Sequence, residues 1–357
     1  MSLKVLELAS VLAGPSVGMF FAELGAEVIK IEQPRTGGDV TRTWRLSKED
    51  PKQPISAYYA SVNWNKTVLW LDLQQTEAQA QIHQLLPQMD LVIANYKPGS
   101  AEKLGMGYAQ LAALNPRLIY ANLTGFGGQD DRAAFDVVLQ AESGFMFMNG
   151  QADGPPTKMP VALIDVLAAH QMKEGILWAL YQRSLTGKGG YVEVSLLESA
   201  LAALANQATN WLMNGHVPQR MGSLHPNIAP YGECVRTADG LDLVLAIGSD
   251  AQFRALCKRL GQEAWADDPR FVNNQQRILH RQALHELLLA AFAQWPAQPL
   301  LQDCHAAHIP IGQIRDMRQV FDLAQAQEMI LREQHSDGFT SARLATKAFA
   351  YRAYEGG

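Results

Sequence analysis

The chain has 357 residues, 48% of them hydrophobic and 18% charged, an ordinary balance for a folded protein with room for two lobes. A formal charge of -5, with no long basic face interleaved with aromatics, argues against a general nucleic-acid binder. No apolar run reaches bilayer length, the start MSLKVLELAS lacks a cleavage pattern, and Cys234, Cys257 and Cys304 are too few and scattered for a disulfide framework, so a reducing cytoplasm without membrane contact is expected.

Taken in order, Lys4 to Ala9 predicts a short buried strand, 11–15 a turn, 16–24 a helix and 27–32 a second strand, together a βαβ unit. Parallel strands joined this way bring loops and helix N-termini to one sheet edge, where nucleotides commonly bind. Glu32 stands where an acid holds a ribose in dinucleotide folds. The turn Val11-Leu12-Ala13-Gly14-Pro15-Ser16 nevertheless has one glycine and a proline without an N–H, which argues against a nicotinamide enzyme. Further strands are predicted at 68–73 and 91–94 with a helix over 77–89 between them. The second strand runs into Asn95-Tyr96-Lys97-Pro98-Gly99 and a short helix ending near Lys103. Tyr96 with Lys97 and Lys103 beside a strand end could receive an adenine face and phosphates, although a solvated loop reads the same way. A strand through Tyr120 then enters a glycine loop over 121–128.

The stretch Val161 to Arg183 organises the rest. Ile164, Leu167, Ala168, Met172, Ile176, Ala179 and Leu180 recur at helical spacing, predicting a buried amphipathic helix. Asp165 breaks that pattern near the helix start, where an ionised carboxylate is costly without compensation. It is either an N-cap or a catalyst, and the roles can coexist: a carboxylate beside free helix N–H groups is oriented and ionised at neutral pH, which suits a nucleophile. A strand at 191–195 and a long apolar helix over 196–212 follow, and Gly/Pro-rich 214–230 reads as a linker. These features place a large lobe at 1–213 and a small α+β lobe at 231–310, built from a hairpin around Asp239-Gly240 and helices over 250–260, 274–294 and 299–308. A return segment takes up 311–357. Cys304, His305 and His308 lack a second ligand pair, so no metal site is expected.

Several strings carry a resemblance: Val5-Leu6-Glu7-Leu8, Ala13-Gly14-Pro15, the run from Leu24 to Glu32, and Gly38-Asp39 with Arg42. Asp165 itself is followed by Gly175-Ile176-Leu177-Trp178, Arg183 and Thr186-Gly187-Lys188-Gly189-Gly190. From about Val5 to Phe321 the chain resembles the class III CoA-transferases, the formyl-CoA transferase and carnitine CoA-transferase (CaiB/BaiF) family. The resemblance implies an α/β protein with a Rossmann-like large lobe and a smaller α+β lobe, its two subunits threaded into an interlocked homodimer. It implies Asp165 as the nucleophile and acyl-CoA as substrate rather than any permanently bound cofactor. The coenzyme would lie against Leu12, Ala13, Gln33, Leu71, Asp72, Leu73, Asn95, Tyr96, Lys97, Lys103, Ala133, Ala134, Phe135 and Asp136. Gln33 and Lys103 stand where relatives carry arginine; lysine keeps the charge but loses bidentate geometry. The acceptor would be a carboxylic acid, and the segment Arg220 to His225 with Pro230-Tyr231 resembles enzymes of dicarboxylic acids. The same resemblance admits an α-methylacyl-CoA racemase, in which a histidine precedes the aspartate that is Asp136 here. A non-catalytic CoA-binding module is the reading of another class.

Overall fold

In the computed structural model of the chain, which describes residues 2–336 and 338–354, six strands form one all-parallel sheet. They are β1 (Lys4–Leu8), β2 (Glu27–Glu32), β3 (Lys66–Trp70), β4 (Leu91–Ala94), β5 (Ile119–Thr124) and β6 (Gly190–Ser195), in the order β3-β2-β1-β4-β5-β6. Leu6 on β1 pairs with Ile29 on one side and Val92 on the other. The order reverses between β1 and β4, so a crevice opens outside the carboxyl ends of those two strands. Asn95 spans it, accepting from the Ser10 N–H at 3.1 Å and donating to the Ser10 carbonyl at 2.8 Å.

The helices of this unit are α1 (Ala13–Glu23), α2 (Ala57–Ala60), α3 (Thr76–Leu85), α4 (Ser100–Lys103), α5 (Tyr108–Leu114), α6 (Asp136–Glu142), α7 (Phe145–Met148), α8 (Leu163–Thr186), α9 (Leu196–Ala202) and α10 (Ala205–Asn214). Alternation along the strands separates two cores. Val5, Val28, Leu91, Ile93, Ile119 and Ala121 pack with α1 and α8, while Leu6, Ile29, Val92 and Tyr120 pack with α3 and α5. This placement inverts one crossover. The steps β3 to β4, β4 to β5 and β5 to β6 all move in the same direction across the sheet, so a right-handed connection would put α8 on the face that carries α3 and α5. It packs instead against α1, which makes the β5 to β6 connection left-handed.

Helix α1 starts at Ala13, earlier than the sequence pattern predicts, because Pro15 falls in the first turn where no N–H is required. The helix predicted over 196–212 is two helices, interrupted where Ala205 takes φ 48°. Gly18 lets α1 lie close to the sheet: a Cβ there would stand 1.9 Å from the Glu7 carboxylate.

The smaller unit comprises Phe147–Thr157 and Pro218–Leu323. Its antiparallel sheet is β7 (Tyr231–Arg236), β8 (Asp242–Ala246) and β9 (Ile311–Gln313), with the predicted reversal at Asp239-Gly240. Helices α11 (Asp250–Arg259), α13 (Arg281–Phe292) and α14 (Ala297–Ala306) enclose a core that includes Leu243, Leu245, Phe253, Leu288 and Phe292, and the unit also holds α12 (Asn274–Leu279) and α15 (Met317–Phe321). The helix predicted over 274–294 breaks at His280. Buried Arg277 ties this unit together, donating to the carbonyls of Ala229 and Phe271 and pairing with Asp250 at 2.6 Å.

The chain rejoins the large unit at Ala324, through α16 (Ala324–Glu328) and an antiparallel hairpin absent from the sequence reading, β10 (Ile330–Gln334) and β11 (Thr340–Leu344). Of the return segment 311–357, positions 337 and 355–357 lie outside the described residues. No helix among the described residues is long and apolar enough to cross a membrane.

Candidate active site

Helix α8 is anchored at its far end. Arg183 in its last turn pairs with Asp90 at 3.1 Å and donates to the carbonyls of Asp90 and Arg117, at the amino edge of the sheet. Its first turn therefore lies at the carboxyl edge, beside the crevice. The N-cap position is Ala162, which has no side chain to cap with. The capping acceptor comes from another element: Asp136, the first residue of α6, accepts the Ile164 N–H at 2.8 Å and the Gln140 amide at 2.7 Å.

Asp165 is thus relieved of the capping role that the sequence left open. Its carboxylate is 8% exposed and, among the described residues, makes no hydrogen bond. Burial first, and the charge of Asp136 second, push its pKa up to about 7. The sequence-based expectation of firm ionisation at neutral pH is corrected here: burial and the charge of Asp136 both favour the neutral form, and the group is poised between its two forms. Tyr58 on α2 is a neighbour the sequence did not flag. Its phenol is raised by burial and by the charges of Asp165, Asp136 and Asp39, and keeps its proton. Nothing in Ser56-Ala57-Tyr58-Tyr59 signals this, because the grouping is tertiary.

Helices α1 and α8 run side by side in the same direction, and one contact sets their register. The Lys173 ammonium stands 4.9 Å over the Phe20 ring. Phe20 lies eight positions beyond Leu12 and Lys173 eight beyond Asp165, so Asp165 and the Leu12–Ala13 turn stand at the same end of the helix pair.

Most of the other expected contact residues divide between two cavities along the carboxyl edge, with Tyr96 in both walls; Tyr96 and Lys97 also line a third, of about 330 Å³, with Tyr108, Tyr120 and Tyr191. One, of about 260 Å³, is lined by Gln33, Leu71, Leu73 and Tyr96 with Leu8–Ser10 and Gly38. The other, of about 210 Å³, is lined by Asn95, Tyr96, Lys97, Ala133, Ala134 and Phe135 with Arg132. Asp72 is engaged elsewhere, held by the Gln33 amide at 2.7 Å and Arg35 at 2.9 Å. Lys103 is exposed on α4 and lines neither cavity, although its neighbour Leu104 lines the first. Leu12 and Ala13 form the head of α1, and Asp136 caps α8.

The wall of the first cavity also includes Lys30, Glu32 and Asp39, which belong to a set of buried charges. Lys30 pairs with Glu7 at 2.9 Å and Asp39 at 3.2 Å, and Lys66 with Glu7 at 2.7 Å. Burial pulls the Lys66 ammonium down to about 8. Glu32 is not free for a ribose. Arg42 grips both of its oxygens, at 2.6 and 3.0 Å, the Tyr59 hydroxyl donates at 2.7 Å and the Asp39 N–H at 3.0 Å. The inward charges in Val5-Leu6-Glu7-Leu8 and Val28-Ile29-Lys30-Ile31-Glu32 were visible in the sequence as polar residues inside apolar strands. Removing one partner of a buried pair leaves the other charge uncompensated. Arg42→Ala should therefore lose about 3–5 kcal/mol of stability in equilibrium chemical denaturation, and a loss under about 1 kcal/mol would show that Glu32 does not depend on it.

A crystal structure of a CaiB/BaiF family protein from Brucella suis matches this fold with a TM-score of 0.82 at 36% identity, over 98% of this chain and 91% of that one. Residues 2–353 match the description of CoA-transferase family III, and the chain belongs to that family. Among its relatives, the succinate–glutarate CoA-transferase of Agrobacterium fabrum is 39% identical over 336 residues, 92% of this chain and 83% of that protein. The acetyl-CoA:oxalate CoA-transferase of Acetobacter aceti is 37% identical over 336 residues, covering 92% and 85%. The succinyl-CoA:glutarate CoA-transferase of Mus musculus is 34% identical over 325 residues, covering 90% and 73%.

Proposed function

We propose that this chain moves coenzyme A between carboxylic acids, with Asp165 as the covalent nucleophile and dicarboxylic acids as the favoured partners. One observation carries the assignment of the nucleophile: a buried carboxylate in the first turn of α8, uncapped and unbonded among the described residues, beside the switch-point crevice. The names of the relatives, which speak of succinate, glutarate and oxalate, support the choice of acids.

The ionised Asp165 attacks the acyl carbon of the thioester, breaking the C–S bond to give a mixed anhydride and coenzyme A thiolate. The thiolate attacks the aspartyl carbonyl, forming an aspartyl-CoA thioester and freeing the donor acid. The acceptor carboxylate attacks that thioester, giving a second anhydride and thiolate again. Thiolate attack on the acceptor's acyl carbon then releases the new acyl-CoA and regenerates Asp165. No net proton is consumed. A pKa near 7 makes Asp165 a better nucleophile than an ordinary carboxylate while leaving a useful fraction ionised. The coenzyme would lie along the cavities of about 260 and 210 Å³, with Tyr96 in both walls and Lys97 and Arg132 beside the second as cations for its phosphates.

Racemisation would need an acid and a base flanking the α-carbon. Phe135, which precedes Asp136, cannot exchange a proton, and His170 is exposed on α8. Incubating the protein with succinyl-CoA or glutaryl-CoA should add the mass of coenzyme A, less water, to the peptide carrying Asp165, removably by hydroxylamine. Pairing acyl-CoA donors with free acids, read by mass spectrometry, identifies the substrates. Coenzyme A bound without any adduct or transfer would leave a binding module instead, and solvent deuterium entering the α-carbon of a 2-methylacyl-CoA would point to the racemase.

The chain acts as an interlocked homodimer in this reading. Leu177, Trp178, Tyr181 and Leu185 form an exposed apolar stripe on α8, and Trp211, Leu212 and Met213 are exposed on α10, Leu212 at 78%. Apolar surface of that extent calls for a cover. Light scattering should give twice the 39.3 kDa chain mass at every concentration at which the protein stays folded; a stable, active monomer removes the interlocked arrangement.

A further inference from the structure

Val11, just ahead of α1, has φ 73°, a left-handed backbone that a β-branched residue adopts only under constraint. The constraint is on the page. Its N–H donates to both carboxylate oxygens of Asp39, at 3.1 and 3.3 Å. Asp39 is itself fixed: it is buried, accepts the Thr41 N–H at 3.0 Å and the Thr41 hydroxyl at 2.7 Å, and pairs with Lys30 at 3.2 Å. Lys30 is wholly buried and is anchored in turn by Glu7 at 2.9 Å and the Ala9 carbonyl at 2.8 Å. None of these groups takes part in the chemistry written above. The turn they restrain, Val11-Leu12-Ala13, leads into the head of α1, which lies at the same end of the α1–α8 pair as Asp165.

We propose that Asp39, braced by Lys30, is a positioning residue that holds Val11 in its left-handed conformation and so fixes the head of α1 as a wall of the substrate space beside Asp165. This deepens the proposed transferase function and rests on it. Without the Asp39 carboxylate, Val11 relaxes towards negative φ and the first N–H groups of α1, which have no acceptors inside the helix, turn away from the reacting thioester. A displacement of about 1 Å in a site of this kind costs roughly 10²-fold in rate.

The decisive comparison pairs Asp39→Ala with a second change at Val11. Glycine populates positive φ about as readily as negative, so Val11→Gly lets the turn return to its working shape without the restraint. Asp39→Ala should lower kcat for CoA transfer by about 30–100-fold, with KM for acyl-CoA moving less than about threefold. Adding Val11→Gly should recover at least about tenfold of that loss, because only the backbone preference needed repair. A kcat for Asp39→Ala within about twofold of the parent, or no recovery in the double variant, overturns the proposal. If Asp39→Ala does not fold, Asp39→Asn, which fills the same volume, replaces it, with a loss of about tenfold and the same recovery expected. Hydrogen–deuterium exchange reads the linkage independently of turnover. The Val11 amide should exchange at least about tenfold faster once Asp39 is replaced, and unchanged exchange counts against the proposal. A parent protein that transfers no coenzyme A would sink the proposed function, while the exchange measurement would still decide the Val11–Asp39 linkage.

Discussion

Replacing Asp165 by asparagine should cost at least about 10³-fold in CoA transfer and leave a protein that is more stable than the parent above pH 7. The loss follows from the proposed chemistry, since an amide cannot form the anhydride and no other carboxylate occupies that turn of α8. The gain follows from where the carboxylate sits. In the unfolded chain Asp165 titrates near its ordinary value of 3.8, whereas in the folded protein its pKa is about 7. Between those values the folded state keeps a proton that the unfolded state has given up, so stability falls as pH rises through that window and the full penalty is present above pH 7. A rise from 3.8 to about 7 corresponds to roughly 4 kcal/mol, and a gain of about 2–4 kcal/mol for Asp165→Asn at pH 8 is expected, shrinking to almost none near pH 4. Thermal melts of both proteins across pH 4–8 measure it. An asparagine variant that is no more stable at pH 8, or that transfers coenzyme A at the parental rate, would contradict this placement of Asp165.

The sheet was legible because its strands are short apolar runs bounded by polar residues, as in Leu91–Ala94 between Asp90 and Asn95, and a short apolar run so bounded reads as a buried strand. Asp165 was legible as an anomaly, a charge where the helical pattern called for an apolar residue. What made it reactive was not legible. The cap that frees it is Asp136, 28 positions before the Ile164 N–H it accepts, and the phenol whose pKa feels its charge belongs to Tyr58 on a helix of a single turn. Contacts of that kind depend on how elements pack, and no local spacing encodes them. Helix breaks failed for a related reason: Ala203–Ala205 and His280 carry no Gly or Pro to mark them, so the pattern reads straight through both. The left-handed crossover to β6 lay further out of reach, since chain order favours the opposite hand.

The pH dependence of transfer should show Asp165 directly. Because kcat/KM reports groups in the free enzyme, it should fall about tenfold per pH unit below an apparent pKa near 7. An unperturbed carboxylate would keep the rate flat down to about pH 5. The two causes of the raised pKa separate in Asp136→Asn. Burial, the larger cause, is untouched, while the repulsion between carboxylates disappears. Asparagine can still accept the Ile164 N–H through its amide oxygen, so the head of α8 keeps its cap. The acidic limb should therefore move to lower pH in Asp136→Asn yet stay above the ordinary carboxylate range, since desolvation alone continues to favour the neutral form. At pH 8, where Asp165 is mostly ionised in both proteins, the variant should be somewhat slower, because a less basic carboxylate is a weaker nucleophile. Initial rates of acyl-CoA consumption between pH 5 and 9 supply both limbs. A limb that stays in place when Asp136 is neutralised would mean that its charge does not reach Asp165, and a limb moving to higher pH would reverse the sign of the coupling.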